Sequence, residues 1–400
     1  MVNLSNYINK KKLYIKKFFS IPFFSDPRTL LGLWILLGIV SALMKFHKCN
    51  NFLIFKQVFW HTIYQMPLYG PYPNEYFDSN YYGPFFSLVI APFAVMPLPL
   101  GLIFWHVLMA LSLFCAIRKL PINQGKQIFI YWFCAHELLT ALFMSQFNIV
   151  IATVIIASFY CIEKEKDITA AFFILLGTFV KLYGIVGLAF FFFSKHKMRF
   201  IIAMIGWSIL FFILPMFISG PEYILEQYKE WYINLTEKNM GNLLSGGQNQ
   251  SLLGLVRKTT RIRSYSDLWL IIPGIFAFCY PYLRFSQYKN VAFRYAFLAS
   301  TLLFVVLFST GSESSTYIIA LLGVAIWYIT APWKRSNIDI ALMVFAFILT
   351  SMSPSDLFPA YIRKHYVQPY ALKALPCVLI WFKLIYEMAY KDYHEQKILK

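Results

Sequence analysis

Apolar runs separated by short polar stretches recur along the chain from residue 30 onward, beginning with "LLGLWILLGIVSALM" (30–44). A helical crossing of a bilayer needs roughly 20 apolar residues, or somewhat fewer where the span is short. The pattern leaves room for about twelve crossings, which predicts an all-α polytopic membrane protein. The first span runs from about Leu30 to Lys45 and delivers residues 47–83 to the outer face. Short basic clusters at 118–126, 163–167, 194–199, 284–294, 332–337 and in the C-terminal tail read as inside loops, as expected for cytoplasmic flanks. With those fixed, "ITAAFFILLGTFVKLYGIVGLAFFFF" (168–193) must cross twice, as two half-length helices turning near Lys181. The run 127–161 also crosses twice and turns at Gln146 and Asn148. Residues 220–267 form the longest outer loop, and 309–315 and 351–370 also face out.

Residues 84–117 hold two apolar runs where the charges allow an odd number of crossings. The first, "PFFSLVIAPFAVMP", is short and bounded by prolines, which suits a juxtamembrane or re-entrant helix. Irregular backbone is tolerated at that depth where protein or a cavity covers it. The other reading is that the 118–126 loop breaks the charge rule. The chain is thus one transmembrane domain over 1–400, with a basic cytoplasmic leader at 1–29 that reads as the flank of an uncleaved first helix.

Composition agrees with lipid as the solvent: 59% of the 400 residues are hydrophobic and 20% aromatic, while 14% are charged, against about 25% in soluble proteins. The net charge of +18 sits in short clusters between spans rather than in one stripe, so nucleic acid is not the expected partner. The six cysteines are scattered and mostly lie within apolar runs, which indicates neither a disulfide framework nor a metal site.

The candidate chemistry lies in the outer loops. Glu75 and Asp78 stand in "YPNEYFDSNYYGP" (72–84), after an amphipathic stretch carrying Lys56 and His61. A carboxylate half-buried among aromatics has its pKa raised by desolvation, which suits a general base; a solvated loop charge is the plain alternative. The tyrosines, Tyr82 included, suit either a site or an interfacial belt. A charged leaving group requires cations. Lys181, at the tip of its hairpin, is the sharpest candidate, unless it only snorkels to the interface. Arg257, Lys258, Arg261 and Arg263 close the long outer loop, and Arg363, Lys364 and His365 form a further cluster. Glu137 lies within a span, where an ionisable residue is a functional suspect or half of a structural pair. Glu313, Gln146, Asn148 and the amides Gln248 and Asn249 of "GGQNQS" complete the set; that stretch lacks the context of a nucleotide-binding loop.

In the order in which they occur, "LYGPYPNEYFDSNYYGPFFSLVIAPFAVMPLPLGLIFWHVLMAL", "SQFN" (145–148), "FVKLYG" (179–184) and "NQSLLG" (249–254) resemble glycosyltransferase family 87 over about residues 50–330. The resemblance implies a GT-C-like bundle whose donor is a polyprenyl-phosphate sugar, typically mannose. It also implies a lipid or glycan acceptor, inversion at the anomeric carbon, and an active site facing the outside or periplasm of the plasma (inner) membrane. Membrane lipids are then its surroundings, and neither a cofactor nor a metal is required. An acidic residue early in the first outer loop serves such enzymes as base, but here that place holds Asn50 and Asn51, which cannot act as bases at neutral pH. The role then falls to Asp78, with Glu75 and Glu313 next. Lys181, Arg257, Lys258, Arg261 and Arg263 would hold the donor phosphate. Lys56, His61, Tyr82, Glu137, Gln146, Asn148, Gln248 and Asn249 would contact substrate. Three other functions compete: a transporter or lipid flippase, a polysaccharide ligase or polymerase, and an inactive scaffold.

Overall fold

A computed structural model describes residues 21–243, 245, 247–262 and 264–394 of the chain. Among these residues every regular element is helical. Helix α1 (Pro27–Lys45) starts where the sequence supplies a cap: Asp26 accepts a hydrogen bond from the Arg28 N–H at 2.7 Å, and Pro27 occupies the first turn, where its missing N–H costs nothing. The short helix α2 (Asn50–Ile63) follows, and then an irregular loop. Helix α3 (Phe86–Ala94) has nine residues with Pro92 inside. At 1.5 Å per residue it is roughly 14 Å long, too short to cross a hydrocarbon core of about 30 Å. The long helix α4 (Leu98–Lys119) comes next. The two apolar runs of 84–117 therefore differ in kind, one a short broken helix and the other of spanning length.

Helices α5 (Gln124–Phe143), α6 (Asn148–Glu163) and α7 (Asp167–Val180) precede an abrupt break at Lys181, whose backbone is extended. The chain then returns as a 3₁₀ helix over Leu182–Phe193, an unusual length for that conformation. The return is antiparallel and close. A Cβ on Gly184 would lie 2.3 Å from the Thr178 nitrogen and 2.4 Å from the Gly177 carbonyl carbon, so only glycine permits this crossing. Helix α8 (Lys197–Ile213) buries little besides Phe200 and Phe211.

The stretch 220–267, expected as a loop, is largely helical: α9 (Pro221–Asn242) and α10 (Leu252–Thr260) occupy most of it. Helix α11 (Leu268–Cys279) leads to α12 (Val291–Leu307) and α13 (Tyr317–Thr330), which are buried on nearly all sides. A helix apolar all round belongs in an interior, and this pair, with α6 against it, forms the centre of the bundle. Helix α14 (Asn337–Phe345) opens with a reciprocal Ser336–Asp339 cap and runs into a π-helical turn over Ala346–Met352. Helix α15 (Leu375–Tyr390) ends the described fold.

Three helical stretches are long and apolar enough to cross a membrane, Pro27–Lys48, Leu98–Lys119 and Lys197–Ser219, and seven shorter apolar ones accompany them among the described residues. At the far ends of α6, α12 and α15, ion pairs tie the bundle: Arg294 grips Glu163 through Nε and Nη2 at 2.5 and 2.8 Å, and Arg335 meets Glu387 at 3.1 Å. The opposite ends carry the loops in which the candidate chemistry lies.

Candidate functional site

The loop after α2 is held by its own aromatic and amide residues. Asn50 clamps the peptide of Phe77 from both sides, donating to its carbonyl at 2.6 Å and accepting from its N–H at 2.7 Å. The next residue, Asp78, adopts a left-handed backbone with φ of +74°, a conformation that aspartate tolerates better than most residues. Its Oδ1 accepts from the Ser79 N–H at 2.9 Å and from the Tyr81 hydroxyl at 3.0 Å. Both of its bonds to described residues fall on Oδ1, so Oδ2 is not engaged by them. Helix α9 grips the same loop: Trp231 Nε1 donates to the Tyr81 carbonyl at 3.1 Å and Asn234 to that of Asn80 at 2.7 Å, while the Lys238 ammonium lies 4.2 Å from the centre of the Tyr81 ring.

Gly83 fastens the loop to the hairpin that carries Lys181. Its N–H donates to the Val180 carbonyl at 3.1 Å, and a Cβ there would come within 2.3 Å of the Phe179 carbonyl oxygen. Lys181 Nζ donates to Asn148 Oδ1 at 2.8 Å. The Asn148 amide passes the chain to Gln146 Oε1 at 2.8 Å, and Gln146 donates to Glu313 Oε1 at 3.0 Å. Burial pushes the Lys181 pKa down to about 8, against an opposing pull from Glu313.

These segments enclose a cavity of about 430 Å³ whose wall includes Asp78, Lys181, Lys238, Gln146, Glu313, Tyr82 and Gln248. Two carboxylates and two ammonium groups thus face one space. Asn51, whose amide donates to the Met144 carbonyl at 2.7 Å, also lines it. Asn148 is buried behind the wall, where its bonds orient Lys181 and Gln146.

Other candidates are engaged elsewhere. Glu75 pairs with His61 at 2.9 Å, and neither lines the cavity; burial lowers the His61 pKa more than Glu75 raises it. Lys56 donates to the Met96 carbonyl at 2.7 Å and joins α2 to the end of α3. Glu137 is buried against Lys373, 2.8 Å away. Asn249 holds backbone: its N–H donates to the Thr310 carbonyl, its amide to that of Leu243, and its Oδ1 accepts from Ser251. Arg257 is buried and paired with Asp267 at 2.7 Å, with Tyr265 stacked 4.2 Å away. It lines a second cavity of about 570 Å³, which shares Leu182, Tyr183, Asn239, Ser309 and Thr310 with the first. Lys258 donates to the Gln248 carbonyl at 2.9 Å, its pKa lowered to about 8 by burial. Arg261 is exposed, and Arg263 lies outside the described residues. No group of three or more His, Cys, Asp or Glu side chains suited to a metal ion occurs among the described residues.

Sequence reasoning missed Lys238 and its helix. The signal was present: Trp231, Leu235, Lys238 and Asn242 follow at helical spacing, all four line the cavity, and such spacing puts them on one face.

No curated protein matches the chain. The sequence model of glycosyltransferase family 87 matches residues 80–310, beginning two residues after Asp78 and taking in the Lys181 hairpin, α9 and the Asn249 turn. That match spans more than half of the chain, which therefore belongs to glycosyltransferase family 87.

Proposed function

We propose that the protein transfers a hexose, with mannose the leading candidate, from a polyprenyl-phosphate donor to a hydroxyl of a lipid or glycan acceptor. It would do so at the outer face of the plasma membrane, in a bundle of about twelve crossings. The acceptor oxygen attacks the anomeric carbon while Asp78 takes its proton. The bond from that carbon to the phosphate oxygen breaks, and the lipid phosphate leaves as an anion with inversion at the sugar. Lys181 and Lys238 are the cations available to that leaving group, since Arg257 is neutralised by Asp267. Charge stabilisation of this kind is worth most in a water-poor cavity. In the cavity alongside, the apolar wall made by Phe304, Val305 and Phe308 suits the first units of a prenyl chain.

The observation that carries the reading is the shared cavity: the Asp78 carboxylate, with one oxygen unengaged by described residues, faces it together with Glu313 and two ammonium groups, in a chain of this family. A general base contributes typically 10²–10⁴-fold to rate. Asp78→Asn should therefore remove most transfer of radiolabelled hexose from polyprenyl-phosphate mannose or glucose. The variant should retain the melting temperature of the wild type. Undiminished transfer by Asp78→Asn would reject the base assignment, and movement of lipid-linked sugar without any transfer would point to a flippase.

A further inference from the structure

Lys181 is joined to the second carboxylate of the shared cavity through two amides. Its Nζ donates to Asn148 Oδ1 at 2.8 Å, the Asn148 amide donates to Gln146 Oε1 at 2.8 Å, and the Gln146 amide donates to Glu313 Oε1 at 3.0 Å. Ser315 bridges the middle: its hydroxyl donates to Gln146 Oε1 at 3.0 Å and accepts from Asn148 at 3.2 Å. A hydroxyl turns to suit either direction, and an amide serves equally with its oxygen or its NH2 group. The two ends have no such freedom, because an ammonium only donates and a carboxylate only accepts. Glu313 is itself fixed by the reciprocal cap it forms with Thr316 on the 3₁₀ turn Ser314–Thr316. The carboxylate therefore sets the direction of every bond in the row, which ends with a carbonyl oxygen against Lys181. A reversed row would turn the Asn148 NH2 group towards Lys181 and suit only the neutral amine.

We propose that Glu313 is a positioning residue, which through Gln146 and Asn148 keeps the Lys181 ammonium charged and aimed at the leaving phosphate. The inference rests on the transferase reading above and gives the two carboxylates separate tasks, proton removal at Asp78 and polarity of the row at Glu313. Lys181 shares the cavity wall with the charged groups Asp78, Lys238 and Glu313 and with Tyr81, Tyr82 and Tyr183. Burial raises the pKa of all three tyrosines, so they stay neutral where Lys181 titrates. Glu313 opposes the burial that lowers the Lys181 pKa to about 8. Loss of its charge should therefore move the alkaline limb to lower pH.

The test uses the full-length protein in detergent. Transfer of labelled hexose is followed from about pH 6 to about pH 10 and, independently of transfer, binding of farnesyl phosphate is measured by calorimetry. Glu313→Gln keeps the shape of the side chain but ends it in a group that can also donate. It should lower kcat/KM about 2- to 13-fold at about pH 7, the worth of one hydrogen bond. Its alkaline limb should move to lower pH, and farnesyl phosphate should bind more weakly. Gln146→Met, which cuts the row but leaves Glu313 in place, should do the same. Glu313→Asp still only accepts and should keep the limb closer to that of the wild type. On a Lys181→Met background, Glu313→Gln should cost less than about twofold, because the two residues act as one unit. An unmoved alkaline limb and unchanged farnesyl phosphate binding in Glu313→Gln and Gln146→Met would overturn the assignment. So would a loss of about 10²–10⁴-fold that persists on the Lys181→Met background, which is the mark of a general base. If Glu313→Gln fails to fold, Gln146→Met decides alone. Those failures show in the variants; a wild type that neither transfers hexose nor binds farnesyl phosphate would instead refute the transferase reading.

Discussion

Lys181 carries the most quantitative prediction. Its ammonium is fixed by Asn148 at 2.8 Å and lies 4.6 Å from the centre of the Tyr183 ring, within the cavity wall. Burial lowers its pKa to about 8. The protonated form, which is the one that neutralises a leaving phosphate, accounts for about nine-tenths of the molecules at about pH 7. Because the depressed pKa belongs to a cation, the contribution is present below about pH 8 and lost as pH rises through that value. A hydrogen bond to a charged group is worth roughly 1.5–3 kcal/mol, and each 1.36 kcal/mol is tenfold in rate. Lys181→Met should therefore lower kcat/KM by about 10- to 150-fold at about pH 7 and remove the decline above about pH 8. Lys181→Arg keeps its charge throughout that range, so it should retain part of the activity without the alkaline fall. The assay is transfer of labelled hexose between about pH 6 and about pH 10, at saturating and limiting donor. A methionine variant with wild-type kcat/KM, or an arginine variant with an unchanged alkaline limb, would refute the assignment.

Asn50→Ala removes both bonds to Phe77, each worth roughly 0.5–1.5 kcal/mol. It should lower kcat by about tenfold or more, with faster protease cleavage within residues 72–83. Lys373→Met leaves the buried Glu137 carboxylate unpaired and should cost roughly 3–5 kcal/mol; adding Glu137→Gln should recover much of the lost melting temperature. Gly184→Ala pushes a methyl against the Thr178 nitrogen and should destabilise by about 1–3 kcal/mol, with a rise in donor KM measured in the same preparation.

Much of the helical plan was legible because a bilayer imposes run length and forbids unpaired backbone. The break at Lys181 followed from counting basic clusters, and the short helix before α4 from its bounding prolines. Helix α9 was missed because its many charged and amide residues resemble an outer loop, although Ile224, Tyr228, Trp231 and Leu235 repeat at helical spacing. Partners were harder still. His61 and Glu75 are close in sequence, but their pairing depends on the path of the loop between them. Glu137 meets Lys373 from more than two hundred residues away. Nothing local in "RKTTRIR" reveals that Asp267 will neutralise Arg257. Local pattern specifies which groups stand near the rim of the membrane, whereas long-range folding decides which of them keep a spare charge.

The bond from Gly83 to Val180 makes the first loop and the Lys181 hairpin a single mechanical piece. If a change in lipid tilts that hairpin, Asp78 and Lys181 ride together and the gap between acid and base is spared. Disabling lesions at this joint would then include residues that touch no substrate, and remedies for them could arise on either arm.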